Sequence, residues 1–124
     1  MTPFARSWLH IGTVRLDGEK MAKSTGNLVF VRDLLAATEG AVVRALLLDR
    51  PYALSWEHTD AELERAGSRL DTLRSAAGRP AGSDAATGAV LDRLVDDLDV
   101  PAAWDIAVEE GGPAARELVS VLAL

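Results

Sequence analysis

Thr59-Asp60-Ala61-Glu62-Leu63-Glu64-Arg65-Ala66-Gly67-Ser68-Arg69-Leu70-Asp71-Thr72-Leu73-Arg74-Ser75-Ala76-Ala77 carries the clearest periodicity in the chain. Leu63, Ala66, Leu70, Leu73 and Ala77 recur at spacings of three and four, which lays one apolar stripe along a helix. Glu62, Glu64, Arg65, Arg69 and Arg74 fall on the faces turned to water. At the head of the stretch, Thr59 and Glu62 fit a capping box, in which a hydroxyl and a carboxylate satisfy the unpaired backbone donors of a first helical turn. The helix is expected to run to about Ala77.

Downstream, Gly78-Arg79-Pro80-Ala81-Gly82-Ser83 has the composition of a flexible connector. Val90, Leu91, Leu94, Val95 and Leu98 mark a further amphipathic helix. Pro101 suits the first turn of the next one, with Asp99 as its cap. Gly111-Gly112-Pro113 separates that helix from a last one, whose apolar face is Leu118, Val119, Val121 and Leu122.

Upstream, a helix from about Ala41 to Asp49 ends before Pro51, since proline cannot continue a helix and constrains the residue before it. Arg32-Asp33-Leu34-Leu35 begins to show helical spacing, and Leu28-Val29-Phe30-Val31 reads as a strand or a lead-in. Between Ser7 and Asp17, Trp8, Ile11, Val14 and Leu16 alternate with polar residues, which suggests one or two short strands broken at Gly12. Asp17-Gly18 is a turn signal, and the stretch to Asn27 has the glycine, serine, threonine and charge of a surface loop. The fold class is therefore mainly α, with a small N-terminal β element and a loop suited to phosphate.

Composition excludes several functions. The 124 residues allow one domain of ordinary size. With no cysteine, disulfides and thiolate metal sites are ruled out, and His10 and His58 are too far apart in sequence to form a local zinc pair. No apolar run reaches the roughly 20 residues of a membrane span, and Met1-Thr2-Pro3-Phe4-Ala5-Arg6 lacks the apolar core of a secretory signal, so a cytoplasmic protein is expected. The net charge of −6 is unevenly spread: residues 1–50 hold seven Lys/Arg and five Asp/Glu, residues 51–124 six and fourteen. A phosphate-bearing ligand belongs on the first half, and the acidic second half argues against a general nucleic-acid surface there.

The chemistry concentrates at Lys20-Met21-Ala22-Lys23-Ser24. Two lysines three positions apart, beside serine, threonine and glycine, suit a polyphosphate: ammonium groups neutralise the oxygens, small residues let the backbone approach, and hydroxyls donate hydrogen bonds. A mobile loop of this kind can strengthen its contacts as charge develops in a transition state. Composition alone equally accommodates a solvated turn.

Gly18-Glu19-Lys20-Met21-Ala22-Lys23-Ser24-Thr25-Gly26-Asn27 resembles the Lys-Met-Ser-Lys-Ser signature of class I aminoacyl-tRNA synthetases. The form is that of the cysteine enzymes and of the related ligase that joins cysteine to a glucosaminyl-inositol in mycothiol synthesis. Trp8-Leu9-His10, Arg44 with Leu46-Leu47-Leu48, Tyr52, and Asp96 to Ala103 follow the same order of landmarks, so the resemblance covers nearly the whole chain. It implies that Lys20 and Lys23 contact ATP phosphates, Lys23 the more important, that Met21 packs the loop down, and that Ser24 steadies it. The backbone from Trp8 to Ile11 would border the adenine, and magnesium would accompany the ATP. Residues 1–79 then form a segment with the signature loop and a stem-contact-like region, 80–83 a linker, and 84–124 a helical segment.

Ala22 stands where the family usually has serine, and the lost hydroxyl costs about 1 kcal/mol if its hydrogen bond is made. The His-Ile-Gly-His-type nucleotide signature, the zinc ligands for the cysteine thiol and the parallel nucleotide-binding sheet of the family are not in these residues. Nor is the anticodon-recognition region of the tRNA enzymes, a point of likeness to the mycothiol ligase. The expected function is a part of an ATP-dependent cysteine-activating ligase, completed by a partner chain with the nucleotide-binding domain, with tRNA or a small-molecule amine as acceptor. An exposed apolar surface near Trp8 to Ile11 is expected on that reading. The alternative, from a different class, is a non-catalytic tRNA- or protein-binding module or remnant of the family; a third is a fragment of a larger enzyme. Trp56 and Trp104 read as packing anchors. His10 reads as structural or exposed, and Asp96, Asp97 and Asp99 as a solvated helix end rather than a cation site.

Overall fold

A computed structural model describes residues 4–124. Met1–Pro3, part of the stretch read as lacking a signal core, lies outside the described residues. The long periodic stretch forms helix α3, Asp60–Ala77, preceded by α1, Val31–Ala37, and α2, Gly40–Leu48. After it come α4, Asp84–Val95, α5, Val100–Glu110, and α6, Gly112–Leu122. Three short strands, β1 at Val14–Leu16, β2 at Glu19–Lys20 and β3 at Trp56–Glu57, form a sheet in the order β2-β1-β3. The mainly helical class with a small N-terminal sheet is as expected.

The start of α3 is half of a capping box. Thr59 Oγ1 accepts from the Glu62 amide at 3.2 Å, but the Glu62 carboxylate accepts from Arg50 Nη2 at 3.1 Å and pairs with Arg65 at 3.6 Å. The arginines supply charged donors, which bind a carboxylate more strongly than a neutral backbone amide does. Along α3, Ala66, Leu70, Leu73 and Ala76 are buried, with Leu63 and Ala77 at the margin. The helix packs on α2 to one side and on α5 and α6 to the other, and α4 closes the bundle against α5 and α6. Trp104 is the largest fully buried side chain of this core, which it shares with the fully buried Ala103, Ala107, Ala114, Ala115 and Leu118, small residues that leave volume for a large ring.

Arg69, expected to face water, is drawn in by charge. It donates to both oxygens of buried Asp49 at 2.7 and 3.0 Å and to Asp105 at 2.9 Å, tying the end of α2 and the face of α5 to α3. The Asp49 hydrogen bond, opposed in part by burial, raises the Arg69 pKa above its ordinary value. Arg69→Met leaves Asp49 buried without its bidentate partner. About 2 kcal/mol of stability should be lost, a value below that of a fully buried pair because Arg69 is partly solvated. Urea unfolding checks it, and Asp49→Asn in the Arg69→Met background should recover part of the loss.

The connector, flexible by composition, is held on both sides. Arg79 donates to the carbonyls of Val108 and Glu109 at the end of α5, and Arg116 to those of Ala77 and Arg79. Gly112 has φ +51°, and a Cβ there would lie 2.2 Å from the Ala81 oxygen, so only glycine lets the α5–α6 corner meet the connector.

Two sequence expectations change in the fold. Of the one or two strands expected between Ser7 and Asp17 the fold forms one, β1 at Val14–Leu16, and the chain from Ser7 to Thr13 holds none, although Trp56 N donates to Thr13 O at 3.0 Å. The backbone of that stretch instead crosses the 52–55 turn: Gly12 N donates to Tyr52 O at 2.8 Å, and a Cβ on Gly12 would be 2.0 Å from Leu54 O. Helix α4 stops at Val95 because Asp97 and Leu98 take left-handed conformations at φ +55° and +56°. Val95 is consequently 83% exposed and Leu98 leaves the apolar stripe. Asp99 caps α5 as expected, its side chain accepting from Ala102 N.

At that corner Tyr52 donates to Asp97 at 2.6 Å, and this hydrogen bond to a carboxylate raises the phenol's pKa above 10. Tyr52 is the chain's one tyrosine, so alkaline ultraviolet titration reads it alone. Its midpoint should lie above the ordinary value and fall in Asp97→Asn. A raised pKa means that the bond stabilises the fold at neutral pH and stops doing so as pH climbs through the folded-state value. Equal midpoints in the two proteins would show the bond absent in solution.

Candidate functional site

The lysine loop grows from a tight hairpin. Asp17 and Gly18, at φ +54° and +78°, form a two-residue turn with both central residues left-handed, the geometry that matches the twist of paired strands. The hairpin pairs Arg15 with Lys20 and Leu16 with Glu19, so Lys20 lies on strand β2 rather than in the loop proper. Strand β3 runs parallel to β1, pairing Val14 with Trp56 and Arg15 with Glu57, and the Glu57 carboxylate accepts from Gly18 N at 3.0 Å. Arg50 braces this sheet against the bundle: its guanidinium lies 3.7 Å from the centre of the Trp56 ring while donating to Glu62 and to Leu46 O. A stacked, desolvated pair of this kind contributes about 1–2 kcal/mol. Trp56 is a packing anchor in this setting, as is Trp104.

Beyond β2 the chain turns twice. Met21 N donates to Val14 O at 3.0 Å, and the Met21 side chain lines an apolar pocket of about 120 Å³ with Val14, Val29, Leu46 and Trp56. Thr25 N then donates to Ala22 O and Gly26 N to Lys23 O, two overlapping turns that present Lys23 and Ser24 at the surface. Gly26, at φ +70°, closes the second turn. The side chain of Asn27 spans the whole loop. Its oxygen accepts from Ala22 N at 2.9 Å and from Thr25 Oγ1 at 2.6 Å, and its nitrogen donates to Lys20 O at 3.2 Å. Thr25 Oγ1 also lies 2.9 Å from Ala22 O. Sequence reasoning quoted Asn27 without assigning it a role; a carboxamide, which both donates and accepts, at the close of a glycine-bearing loop was the available signal.

Lys20 and Lys23 are the only lysines in the chain, both are exposed, and neither pairs with a carboxylate among the described residues. Their charge is available to an anion. His10 is exposed, as are Trp8 at 72%, Leu9 at 57% and Ile11 at 72%, which places an apolar strip beside the sheet, as expected. Among the described residues, no group of three or more His, Cys, Asp or Glu residues is arranged to hold a metal ion, and no helix is long and apolar enough to cross a membrane.

The catalytic-domain model of the class I tRNA synthetases of type C matches residues 1–68, which hold the sheet, the lysine loop and the first helices. This chain belongs to that family. Its curated relatives include the L-cysteine:1D-myo-inositol 2-amino-2-deoxy-alpha-D-glucopyranoside ligase of Acidothermus cellulolyticus, 50% identical over 97% of this chain and 32% of that protein. The ligases of the same name from Thermobispora bispora and Streptosporangium roseum are 47% and 44% identical, over 82% and 94% of this chain and 26% and 31% of theirs. The synthetase-family chain thus spans about a third of the length of the relatives it matches.

Proposed function

We propose that this chain supplies the ATP-phosphate loop of a cysteine-activating ligase, with Lys20 and Lys23 as the groups that meet the phosphates. The observation that carries the reading is the loop itself: the chain's only two lysines, exposed and unpaired with acids among the described residues, on turns held from within. In the reaction, the cysteine carboxylate attacks the α-phosphorus of ATP and pyrophosphate leaves. Negative charge grows on the bridging and β-phosphate oxygens as that bond breaks, and two ammonium groups placed there stabilise the transition state more than the ground state. Met21, seated against the sheet and α2, anchors the near end of the loop, and Ser24 offers a hydroxyl beside Lys23. Magnesium enters with the nucleotide, held mainly by phosphate oxygens as is usual for that ion.

A partner chain carrying the nucleotide-binding domain completes the site, and the exposed apolar strip at Trp8, Leu9 and Ile11 is the surface offered to it. The relatives' name favours an amino-sugar inositol over tRNA as the acceptor, and the setting is the cytoplasm. The test is amino-acid-dependent exchange of pyrophosphate into ATP, with the chain alone and then with the products of neighbouring genes. Cysteine-dependent exchange in a mixture supports the proposal. Silence in every mixture overturns it in favour of a non-catalytic tRNA- or protein-binding module of the family.

A further inference from the structure

We infer that Asn27 is a positioning residue for the lysine loop, setting where Lys20 and Lys23 meet a polyphosphate; this rests on the phosphate-binding reading above. The argument is geometric. Between Lys20 and Asn27 the side-chain bonds that cross the loop all involve Asn27 or Thr25, and Asn27 alone reaches both ends, holding Lys20 O with its nitrogen and Ala22 N with its oxygen. Each lysine is adjacent to one of those anchored groups: Lys20 carries the carbonyl that Asn27 binds, and Lys23 follows Ala22 directly. With Asn27 in place the two lysine backbones have a defined separation. Without it, the turns after Met21 rest on two backbone hydrogen bonds of 3.2 and 3.3 Å and on the Thr25 hydroxyl at 2.9 Å from Ala22 O, none of which reaches Lys20. Binding a multivalent anion would then first require the loop to be ordered, which weakens apparent affinity.

Neither half of the carboxamide is dispensable. Aspartate at 27 keeps both acceptor contacts but cannot donate to Lys20 O, and it adds a negative charge beside the two ammonium groups. Alanine removes every contact and adds no charge. The residue lies outside the helical core, so both variants should keep the wild-type melting temperature and helical circular dichroism to within a few degrees.

The experiment uses the full 124-residue chain, with inorganic pyrophosphate as the probe, followed by heteronuclear NMR. Four proteins are compared: wild type, Asn27→Ala, Asn27→Asp and Lys23→Ala. Asn27→Ala should shift the Ala22 and Thr25 amide resonances towards random-coil positions and weaken pyrophosphate about tenfold, as the loss of a few exposed hydrogen bonds implies. Asn27→Asp should leave the Ala22 amide near its wild-type position yet bind pyrophosphate at least as weakly as Asn27→Ala. Lys23→Ala should weaken pyrophosphate without moving the Ala22 amide. Unchanged affinity in Asn27→Ala, beside a clear loss in Lys23→Ala, overturns the positioning role while leaving the phosphate loop standing. An Ala22 amide that does not move in Asn27→Ala overturns it on structural grounds. Unchanged affinity in Lys23→Ala removes the phosphate-loop reading and the positioning role with it.

Discussion

Lys23→Ala is expected to slow cysteine-dependent pyrophosphate exchange by the assembled ligase about a hundredfold or more, the loss typical when one preorganised group that stabilises developing charge is removed. The physical reason is the placement of Lys23. It sits at the outer corner of two overlapping turns with no acidic partner among the described residues, so its charge is not already spent on the protein. An interaction that matures only as the phosphate bond breaks shows in kcat as well as in kcat/KM, whereas uniform ground-state binding shows in KM alone. Lys23→Arg should recover only part of the rate, because a planar guanidinium cannot take the place of a compact ammonium at one point of closest approach. Lys20→Ala should do less damage: its backbone is fixed in β2 and its side chain begins farther from the loop's apex. Steady-state exchange at varied ATP measures these outcomes, and a Lys23→Ala enzyme at full rate would refute a catalytic loop.

Trp104→Ala is expected to have the largest effect on folding, a loss of about 3–5 kcal/mol. The ring is fully buried in a helical core rich in alanine, whose side chains are too small to close over the space it would leave. A domain of this size has a total stability of about 5–15 kcal/mol, so the variant should be substantially unfolded at moderate temperature. Trp104→Phe is the informative companion. The indole Nε1 has no hydrogen-bond partner among the described residues, so phenylalanine deletes an unsatisfied donor along with ring volume and should cost clearly less than alanine. Urea unfolding followed by circular dichroism separates the two. A loss under about 1 kcal/mol in Trp104→Ala would mean that the bundle collapses around the site far more readily than its packing implies.

Much of the fold was legible because local rules and tertiary demands agree. The stripe from Leu63 to Ala77 is the buried face of α3 within one residue, since a helix with one apolar side has few ways to satisfy it. Thr59 and Asp99 cap the helices they precede, because an oxygen at a helix start has donors waiting whatever surrounds it. Asp17-Gly18 makes the hairpin turn for a reason internal to two residues, their tolerance of positive φ. Where partners distant in sequence decide, the reading changed. Glu62 left its own helix end for Arg50, Arg69 turned inward to Asp49 and Asp105, and Arg79 and Arg116 pinned a connector that composition marks as loose.

The candidate site divides along the same line. By itself the sequence determined the helical class, the turn, and the placing of the chain's two lysines three positions apart beside it, because propensity, capping and charge act over a few neighbouring residues. Tertiary structure alone decided that β3 returns from 40 residues away to pair with β1, that Glu57 ties down the turn, and that Arg50 stacks on Trp56 to brace the sheet. It likewise decided that Asn27 reaches back across the loop to hold Lys20 and Ala22. A carboxamide's partners depend on where folding brings the backbone, and no spacing rule in the sequence specifies that.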